Sequence, residues 1–416
     1  MCGPMTARKV DYLLVGGGLA AANCARWLRE EGAGGEVLLV GRETDPPYNR
    51  PECSKGYLRG DESRQDAYFR PDDWWAEQNV ELLLRTSVTA LDLATRTATL
   101  SSKDEVSFEH ALIATGANVR RLNVDGCHLE GIHYLRSFGN ADAIRAGAAE
   151  GAEVVLIGGS FIACEVAASL TALGCQCTIV MLEERPLEVT FGPGMGSFFG
   201  ASLQRLGVRI HGGEQLERFE GDGHVAKVVT ARGLELAADI VVIGAGVMPD
   251  VQLASKAGLE LGERGGVRCS SRLETSVPGV YAAGDICEYE SVLHGGRAIR
   301  VEHWDVAFNH GKTVALNMLG RDVAHEVVPY FYSVLAGLGE LEYVGPAYSW
   351  DEELLRGSLE GTFTNWYLEG GRVKAALTWG RADDLDAARR LIAADAALDD
   401  GQRAALADAD ADLGQI

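Results

Sequence analysis

Two stretches of this sequence carry glycines and acidic residues at spacings that could hold a pyrophosphate and a ribose. In VGGGLAAANCA, Gly16, Gly18 and Ala21 follow the apolar run Val10 to Val15 and lead into alanines and a leucine at helical spacing. A strand, a tight turn and a helix in that order let the backbone approach a pyrophosphate, whose charge then sits on the helix N-terminus. Glu43, beyond the run EVLLV, is placed to accept hydrogen bonds from ribose hydroxyls. In VVLIGGSFIACEVAASL the matching positions are Gly158, Ser160 and Ala163, so two of the three glycines are absent. Alanine at the third place still serves helix–strand packing. Ser160 puts a side chain where backbone should meet phosphate, although its hydroxyl could itself donate to an oxygen. Glu183, at the end of CTIVMLE, would bond a free 2′-hydroxyl and repel a 2′-phosphate, which favours NADH over NADPH. Arg185 nearby is the opposing signal.

Each turn needs a β-α-β motif to present it, and the chain supplies two, beginning at Val10 and at Glu153; two such motifs imply two nucleotide-binding domains. Between them, SVTALDLATRTATLSSKDEVSFEHALIATGA alternates apolar and polar residues as a small meander does. ELAADIVVIGAGVMPD reads as a strand returning from the second domain, the run TSVPGVYAAGDI follows it, and RVEHWDVAFNHGKTVALNMLG reads as a helix ended by Gly320. From Pro329 the texture turns aromatic and β-rich, with a hairpin FTNWYLEGGRVKAALTWG turning at Glu369 to Gly371. The tail from Ala382, rich in alanine and aspartate, is expected to be helical and finally frayed. The expected fold class is α/β: two Rossmann-like nucleotide-binding domains and a small α+β C-terminal domain. The expected boundaries are 1–117 with 246–326 for the first domain, 118–245 for the second and 327–416 for the third.

A chain of 416 residues has room for about three domains. With 47% hydrophobic and 24% charged residues, it is neither disordered nor membrane-spanning in composition. A formal charge of −22 argues against nucleic acid as a partner. No signal peptide is read in MCGPMTARKVDYLLV, so the expected compartment is cytoplasmic. Nine cysteines, Cys2 among them, form no C-x-x-C pair, so neither a zinc ribbon nor a dithiol is expected, and most are read as small buried hydrophobes. Asp408, Asp410 and Asp412 have calcium-loop spacing but lack the rest of the loop, and no metal is expected.

The ordered set VGGGLAAA, PPYNRPECSKGYL, LIATGA, YLRS, GGSFIACEVAASL, TSVPGVYAAGDI and RVEHWDVAFNHG covers nearly the whole chain. It resembles the FAD-dependent, NAD(P)H-using ferredoxin reductases of oxygenase systems and the related apoptosis-inducing-factor-like flavoproteins. The resemblance implies FAD in the first domain, with Gly16, Gly18 and Ala20 facing its pyrophosphate, Glu43 its adenosine ribose, Val88 its adenine, and Arg50 and Arg136 its phosphates. It implies Asp285 on the ribitol chain. Glu302, His303 and Trp304 would open a helix whose positive end points at the flavin pyrimidine. Ala114, Thr115, Gly116, Gly158, Ser160, Phe161, Ile162, Glu183, Ala245, Gly246, Gly284 and Tyr332 complete the implied cofactor-binding positions. Lys55 and Glu165 resemble the lysine and glutamate that pair beside flavin N5, where hydride arrives from the nicotinamide. On residue type alone Lys55 reads as a solvated loop cation, Glu165 as a carboxylate favoured near a helix N-terminus, and Asp285 as a turn residue.

The activity implied is that of an NADH-dependent flavoprotein reductase, with FAD and NADH as cofactors and a small iron–sulfur carrier, a ferredoxin, as partner. Ferredoxins are acidic, so docking on this acidic chain needs a local basic patch, for which Arg70, Arg297, Arg300 and Lys312 are candidates. Departures from the family pattern mark alternatives. Cys53 stands where the family has an aliphatic residue; a small packing residue is the favoured reading, and single-cysteine thiol or peroxide reduction the other. Tyr330 and Tyr332 stand where tryptophan is common, and Val334 where aspartate is common. A slow redox flavoprotein of the apoptosis-inducing-factor-like kind is the second alternative, motivated by the altered glycines of the Gly158 turn.

Overall fold

A computed structural model describes residues 8–416; Cys2 and the first part of MCGPMTARKVDYLLV lie outside the described residues. Contacts divide the chain into two compact units. One holds the described residues up to Asn49 with Tyr68–Asn118 and Met248–Phe331; the other holds Arg50–Ala67, Val119–Val247 and Tyr332–Ile416.

In the first unit the strand Arg8–Val15 runs parallel to both Val37–Val40 and Glu105–Ile113, with Val15 opposite Val40 on one side and Ile113 on the other. Val80–Leu83 extends the sheet beyond Val37–Val40. Continuous apolar runs such as YLLV and VLLV are what a parallel strand covered on both faces requires, and Leu13, Leu14, Leu38 and Leu39 are fully buried. The strand Glu105–Ile113 serves two partners. Its first residues pair antiparallel with Thr97–Leu100, which pairs with Val88–Asp92, as the alternating pattern predicts. Its last residues, Ala111 to Ile113, pair parallel with Val280–Ala282, a strand from much later in the chain. The helix Leu19–Glu30 buries Ala20, Ala21, Ala22, Cys24, Ala25 and Leu28, and packs against the helix Trp304–Met318.

The second unit holds a five-stranded sheet in the order Arg209–His211, Gln176–Val180, Glu153–Ile157, Ile240–Ile243, Ile132–Tyr134, parallel throughout. Its helix Phe161–Ala172 is apolar almost all round and correspondingly buried from Ala163 to Leu170. The C-terminal segment forms a five-stranded antiparallel sheet in the order Tyr330–Leu335, Gly339–Val344, Arg372–Trp379, Phe363–Glu369, Glu352–Gly357. The hairpin turn is the two residues Gly370 and Gly371, because Glu369 already pairs with Arg372.

The tail corrects the expectation of a frayed end. Helices Asp384–Ala394 and Asp400–Ala407 are followed by a 3-10 turn in which Leu413 is only 7% exposed, its carbonyl accepting from Arg390 at 2.7 Å. Arg356, 4% exposed, donates to the carbonyls of Ala405 at 3.2 Å, Ala411 at 2.7 Å and Asp408. Its charge is met by Asp384 at 3.2 Å, which also accepts from Thr364 at 2.6 Å. Buried donors thus hold a segment whose composition alone gives little reason to be ordered. Asp408 and Asp412 accept from the backbone N–H groups of Asp410 and Gly414. Among the described residues no helix is long and apolar enough to cross a membrane.

Candidate functional site

The first glycine turn is locked against a second one. Gly16 has φ +123°, and a Cβ placed on it would lie 2.1 Å from the carbonyl oxygen of Ala114, so only glycine fits. Ala114 in turn donates to the Val15 carbonyl at 2.8 Å. Thr115 Oγ1 donates to the Asp250 carbonyl at 2.7 Å, and Asp250 N–H to Gly116 at 2.8 Å, which fixes the Ala114–Thr115–Gly116 turn. The helix Leu19–Glu30 starts at Gly18 with no side-chain cap, and a Cβ placed on Gly18 would meet nothing within 4 Å. An uncapped helix N-terminus facing open space fits a pyrophosphate. Glu43 accepts from Tyr48 Oη at 2.7 Å. The backbone of Arg85 and Thr86 donates to the Glu43 and Gly41 carbonyls, which brings the strand starting at Val88 beside Glu43.

The later segments of the same unit converge on this turn. A Cβ on Gly284 would lie 3.5 Å from Ala20 Cβ, and Gly284 N–H donates to His310 Nδ1 at 3.2 Å. Arg300 donates to the Asp285 carbonyl at 3.0 Å and pairs with Glu302. His303 precedes the helix Trp304–Met318 without capping it, and its Nδ1 is buried with no hydrogen-bond partner among the described residues. Burial pushes the His303 imidazole down to about 4, so it is neutral at physiological pH. Trp304 donates from Nε1 to Asn49 at 3.0 Å and stacks on Phe308 with ring centres 5.2 Å apart. A second uncapped helix N-terminus with an orphaned buried nitrogen fits a cofactor that gains negative charge on reduction.

The second unit repeats the construction. Gly158 has φ +111°, and its added Cβ would lie 2.7 Å from the Gly244 carbonyl oxygen, just before Ala245 and Gly246. Ser160 is where the two turns differ: its hydroxyl donates to Gly244 at 3.0 Å and accepts from Ala163 N–H at 3.4 Å, capping the helix. The Ser160 hydroxyl thus donates to a backbone carbonyl of the same unit. Phe161 and Ile162 are the first two residues of that helix. The Phe161 ring meets Phe191 edge-on at 5.6 Å, and Ile162 is 37% exposed. The Glu183 carboxylate lies over the turn, 3.5 Å from where a Cβ on Gly159 would stand. Arg185, the opposing cation, pairs with Glu188 at 3.3 Å.

Lys55 and Glu165 meet in the second unit at 2.8 Å, their side chains 7% and 4% exposed. The solvated lysine suggested by residue type is not observed; Glu165 does lie in the first half of the helix Phe161–Ala172, and it is buried there. Ser54 and Ser333 each donate to Glu165 at 2.5 Å, one to each carboxylate oxygen. Lys55 also donates to the Pro51 carbonyl at 3.3 Å, and its ammonium lies 5.7 Å from the centre of the Tyr332 ring. Burial pushes the Tyr332 hydroxyl far above its ordinary range. Arg50 donates to the Arg136 carbonyl at 2.8 Å, so those two expected phosphate partners are neighbours. Cys53 is 2% exposed, as a packing residue would be. Burial, with Glu62 hydrogen-bonded beside it, pushes Glu52 up to about 7. Sequence reasoning did not single out Ser54, Ser333, Asn49 or the Glu52–Glu62 pair; all but Ser333 lie within or just after PPYNRPECSK, whose density of polar residues was the available signal.

The family model described as pyridine nucleotide-disulphide oxidoreductase matches residues 10–311, and the one described as reductase C-terminal matches residues 338–416. The 5,5'-dehydrodivanillate O-demethylase ferredoxin reductase subunit of Sphingobium sp. is 33% identical over 410 residues, 98% of each chain. The anthranilate 1,2-dioxygenase system ferredoxin–NAD(+) reductase component of Burkholderia cepacia is 33% identical over 94% of this chain and 96% of its own. Among solved structures, the ferredoxin reductase for the CYP199A2 system from Rhodopseudomonas palustris superposes with a TM-score of 0.92 at 30% identity, covering 97% of this chain and 99% of that one. The α/β architecture of this chain, with a glycine turn after a parallel strand in each of two sheets and an antiparallel C-terminal sheet, superposes on that structure over nearly its whole length. The chain belongs to the pyridine nucleotide-disulphide oxidoreductase family, and its cofactors are FAD and NADH.

Proposed function

We propose that this protein takes reducing equivalents from NADH through FAD and passes them to a small iron–sulfur carrier of the ferredoxin type. The observation that carries the reading is the dry Lys55–Glu165 pair in a chain with two dinucleotide turns. FAD, when bound, accepts a hydride and gives up electrons one at a time.

The protein's own groups bind, orient and charge the site. The open N-terminus after Gly16 and Gly18, with Ala20 in its first turn, holds the FAD pyrophosphate, and Glu43 the adenosine ribose beside Val88. Arg50 and Arg136 offset phosphate charge. Ala114, Thr115, Gly116, Gly284 and Asp285 shape the remaining wall, and the helix opened by Glu302, His303 and Trp304 presents its positive end. Gly158, Phe161 and Ile162 line the place of the NADH pyrophosphate at the helix start, with Ala245 and Gly246 opposite and Glu183 on the ribose. Ser160 shapes that turn. Lys55, paired with Glu165 and flanked by Tyr332, brings a cation into a region of low dielectric, where charge counts for more than in water.

The relatives named above are ferredoxin reductases, which motivates the choice of acceptor. In the first unit, Arg26 and Lys312 lie 5.5 Å and 4.2 Å from the centre of Trp27, and Arg70 lies 4.6 Å from Phe69 and 5.8 Å from Trp74. These cations offer a local attraction to an acidic carrier on a chain of net charge −22. We assign the protein to the cytoplasm, and retain the three-domain division at 1–117 with 246–326, 118–245 and 327–416 as the working scheme. The test is anaerobic reduction of the purified flavoprotein by NADH, followed by cytochrome c reduction with and without added ferredoxin. Fast flavin bleaching and ferredoxin-dependent turnover are expected. Slow bleaching with a long-lived charge-transfer band, or turnover indifferent to ferredoxin, would overturn the reading.

A further inference from the structure

The two oxygens of the Glu165 carboxylate are held differently. Oε2 meets the Lys55 ammonium at 2.8 Å and the Ser54 hydroxyl at 2.5 Å, whereas Oε1 accepts from Ser333 Oγ at 2.5 Å. All four residues are buried, and they come from three distant segments: RPECSK, the helix Phe161–Ala172 and the strand Tyr330–Leu335. A carboxylate in such a place has lost the donors of bulk water, so each protein donor it keeps fixes both its charge and its orientation.

We infer that Ser333, contributed by the C-terminal sheet, is a positioning residue for hydride transfer: by holding Oε1 it sets the plane of the Glu165 carboxylate and thereby the direction in which Lys55 presents its charge. The inference rests on the role given to Lys55 under Proposed function. Three features support it. A carboxylate turns about its Cγ–Cδ bond unless both oxygens are engaged, and Ser333 is the donor on the oxygen that Lys55 does not use. Ser54 is a poorer anchor, because its single hydroxyl proton also has the Pro51 carbonyl at 3.0 Å. The adjacent residue, Tyr332, flanks the Lys55 ammonium, so one dipeptide of the strand bears on both members of the pair. Nothing is transferred to or from Ser333; its hydroxyl donates throughout.

The test uses the full-length, FAD-loaded protein. Ser333→Ala is expected to lower the limiting rate of anaerobic flavin reduction by NADH about tenfold, the scale of one hydrogen bond to a charged group. The NADH concentration at half-maximal rate and the FAD content should stay within about twofold, since Ser333 is assigned no nucleotide contact. Ser333→Thr, which keeps the hydroxyl, should recover most of the rate. The flavin midpoint potential, read by dye equilibration, should move in Ser333→Ala in the same direction as in Lys55→Met. In a Lys55→Met background, Ser333→Ala should change neither rate nor potential further, because the two residues act through one carboxylate. An Ala variant as fast as the parent, or one whose loss recurs undiminished in the Lys55→Met background, would overturn the inference. If the Ala variant fails to fold or load FAD, Ser333→Thr against Ser333→Val decides, since those differ in the hydroxyl at equal volume; equal rates would refute the role. If the unmodified flavoprotein is not reduced by NADH, the functional reading falls on its own, and the potentials of the variants still decide the place of Ser333.

Discussion

Lys55→Met removes the cation facing Glu165 at 2.8 Å, where the two side chains are 7% and 4% exposed. Deleting one member of a buried ion pair costs about 3–5 kcal/mol, because the other charge is left behind without water. Here the carboxylate keeps the Ser54 and Ser333 hydroxyls, and a hydrogen bond to a charged group is worth ~1.5–3 kcal/mol, so the lower end, about 3 kcal/mol, is expected. Glu165→Gln is expected to cost more, ~4–5 kcal/mol, since it strands a buried ammonium with the Pro51 carbonyl at 3.3 Å in place of an anion. The double variant leaves no buried charge and should return to within about 2 kcal/mol of the parent. Thermal unfolding of the FAD-free protein at pH 7 is the assay, because bound nucleotide would add its own stabilisation by mass action. At roughly 2–4 °C per kcal/mol for a unit of this size, Lys55→Met should lower Tm by about 6–12 °C. A Lys55→Met protein that melts with the parent, or a double variant whose loss equals the sum of the singles, would show that the pair is not desolvated as described.

Gly16→Ala forces a Cβ to 2.1 Å from a backbone oxygen at φ +123°, and should yield protein with little bound flavin and a stability loss on the order of 2–4 kcal/mol, read from the visible spectrum and urea unfolding. His325 is buried and pushed down to about 4 by that burial, so the unfolded chain takes up a proton near pH 6.5 that the folded one refuses. Stability is therefore full above pH 6.5 and falls by roughly 3 kcal/mol as pH drops to 4, with His310 acting in the same direction; urea midpoints that hold constant over this range would contradict the assignment. Glu183→Ala should raise the NADPH to NADH ratio of kcat/KM by about tenfold, the scale of one charged hydrogen bond; an unchanged ratio would place cofactor choice elsewhere.

The glycine turns were legible because their demands are local. A carbonyl oxygen 2.1 Å from a hypothetical Gly16 Cβ is a constraint that the strand–turn–helix pattern already encodes, and the Gly158 turn repeats it at 2.7 Å. The meander and the parallel strands were legible from their alternating and continuous apolar patterns. The surroundings of Glu165 were not legible from residue chemistry. Ser333 lies 168 residues away in sequence, and one serine in an aromatic strand gives no sign of what it faces. Lys55 showed the same limit, since a lysine after a proline-rich stretch reads as solvated and only tertiary burial makes it otherwise. Resemblance to a family identified that pair. It did not reveal that the Ser160 hydroxyl is tied to Gly244, a contact formed across 84 residues. The tail misled for a related reason: a low-complexity run carries no signal for the buried arginine, Arg356, that binds its carbonyls.

Because Ala111 to Ile113 take their parallel neighbour from Val280–Ala282, the sheet that holds the first glycine turn stays incomplete while the ribosome makes everything in between. At typical elongation rates of roughly 5–20 residues per second that wait lasts on the order of ten to thirty seconds. For that interval the nascent chain carries an open, apolar β-edge, whereas the strands from Ile132 to Ile243 can already close their own sheet. Chaperone dependence during synthesis should thus fall on the earlier-made half of the molecule, and flavin can enter only after the later-made half has been delivered.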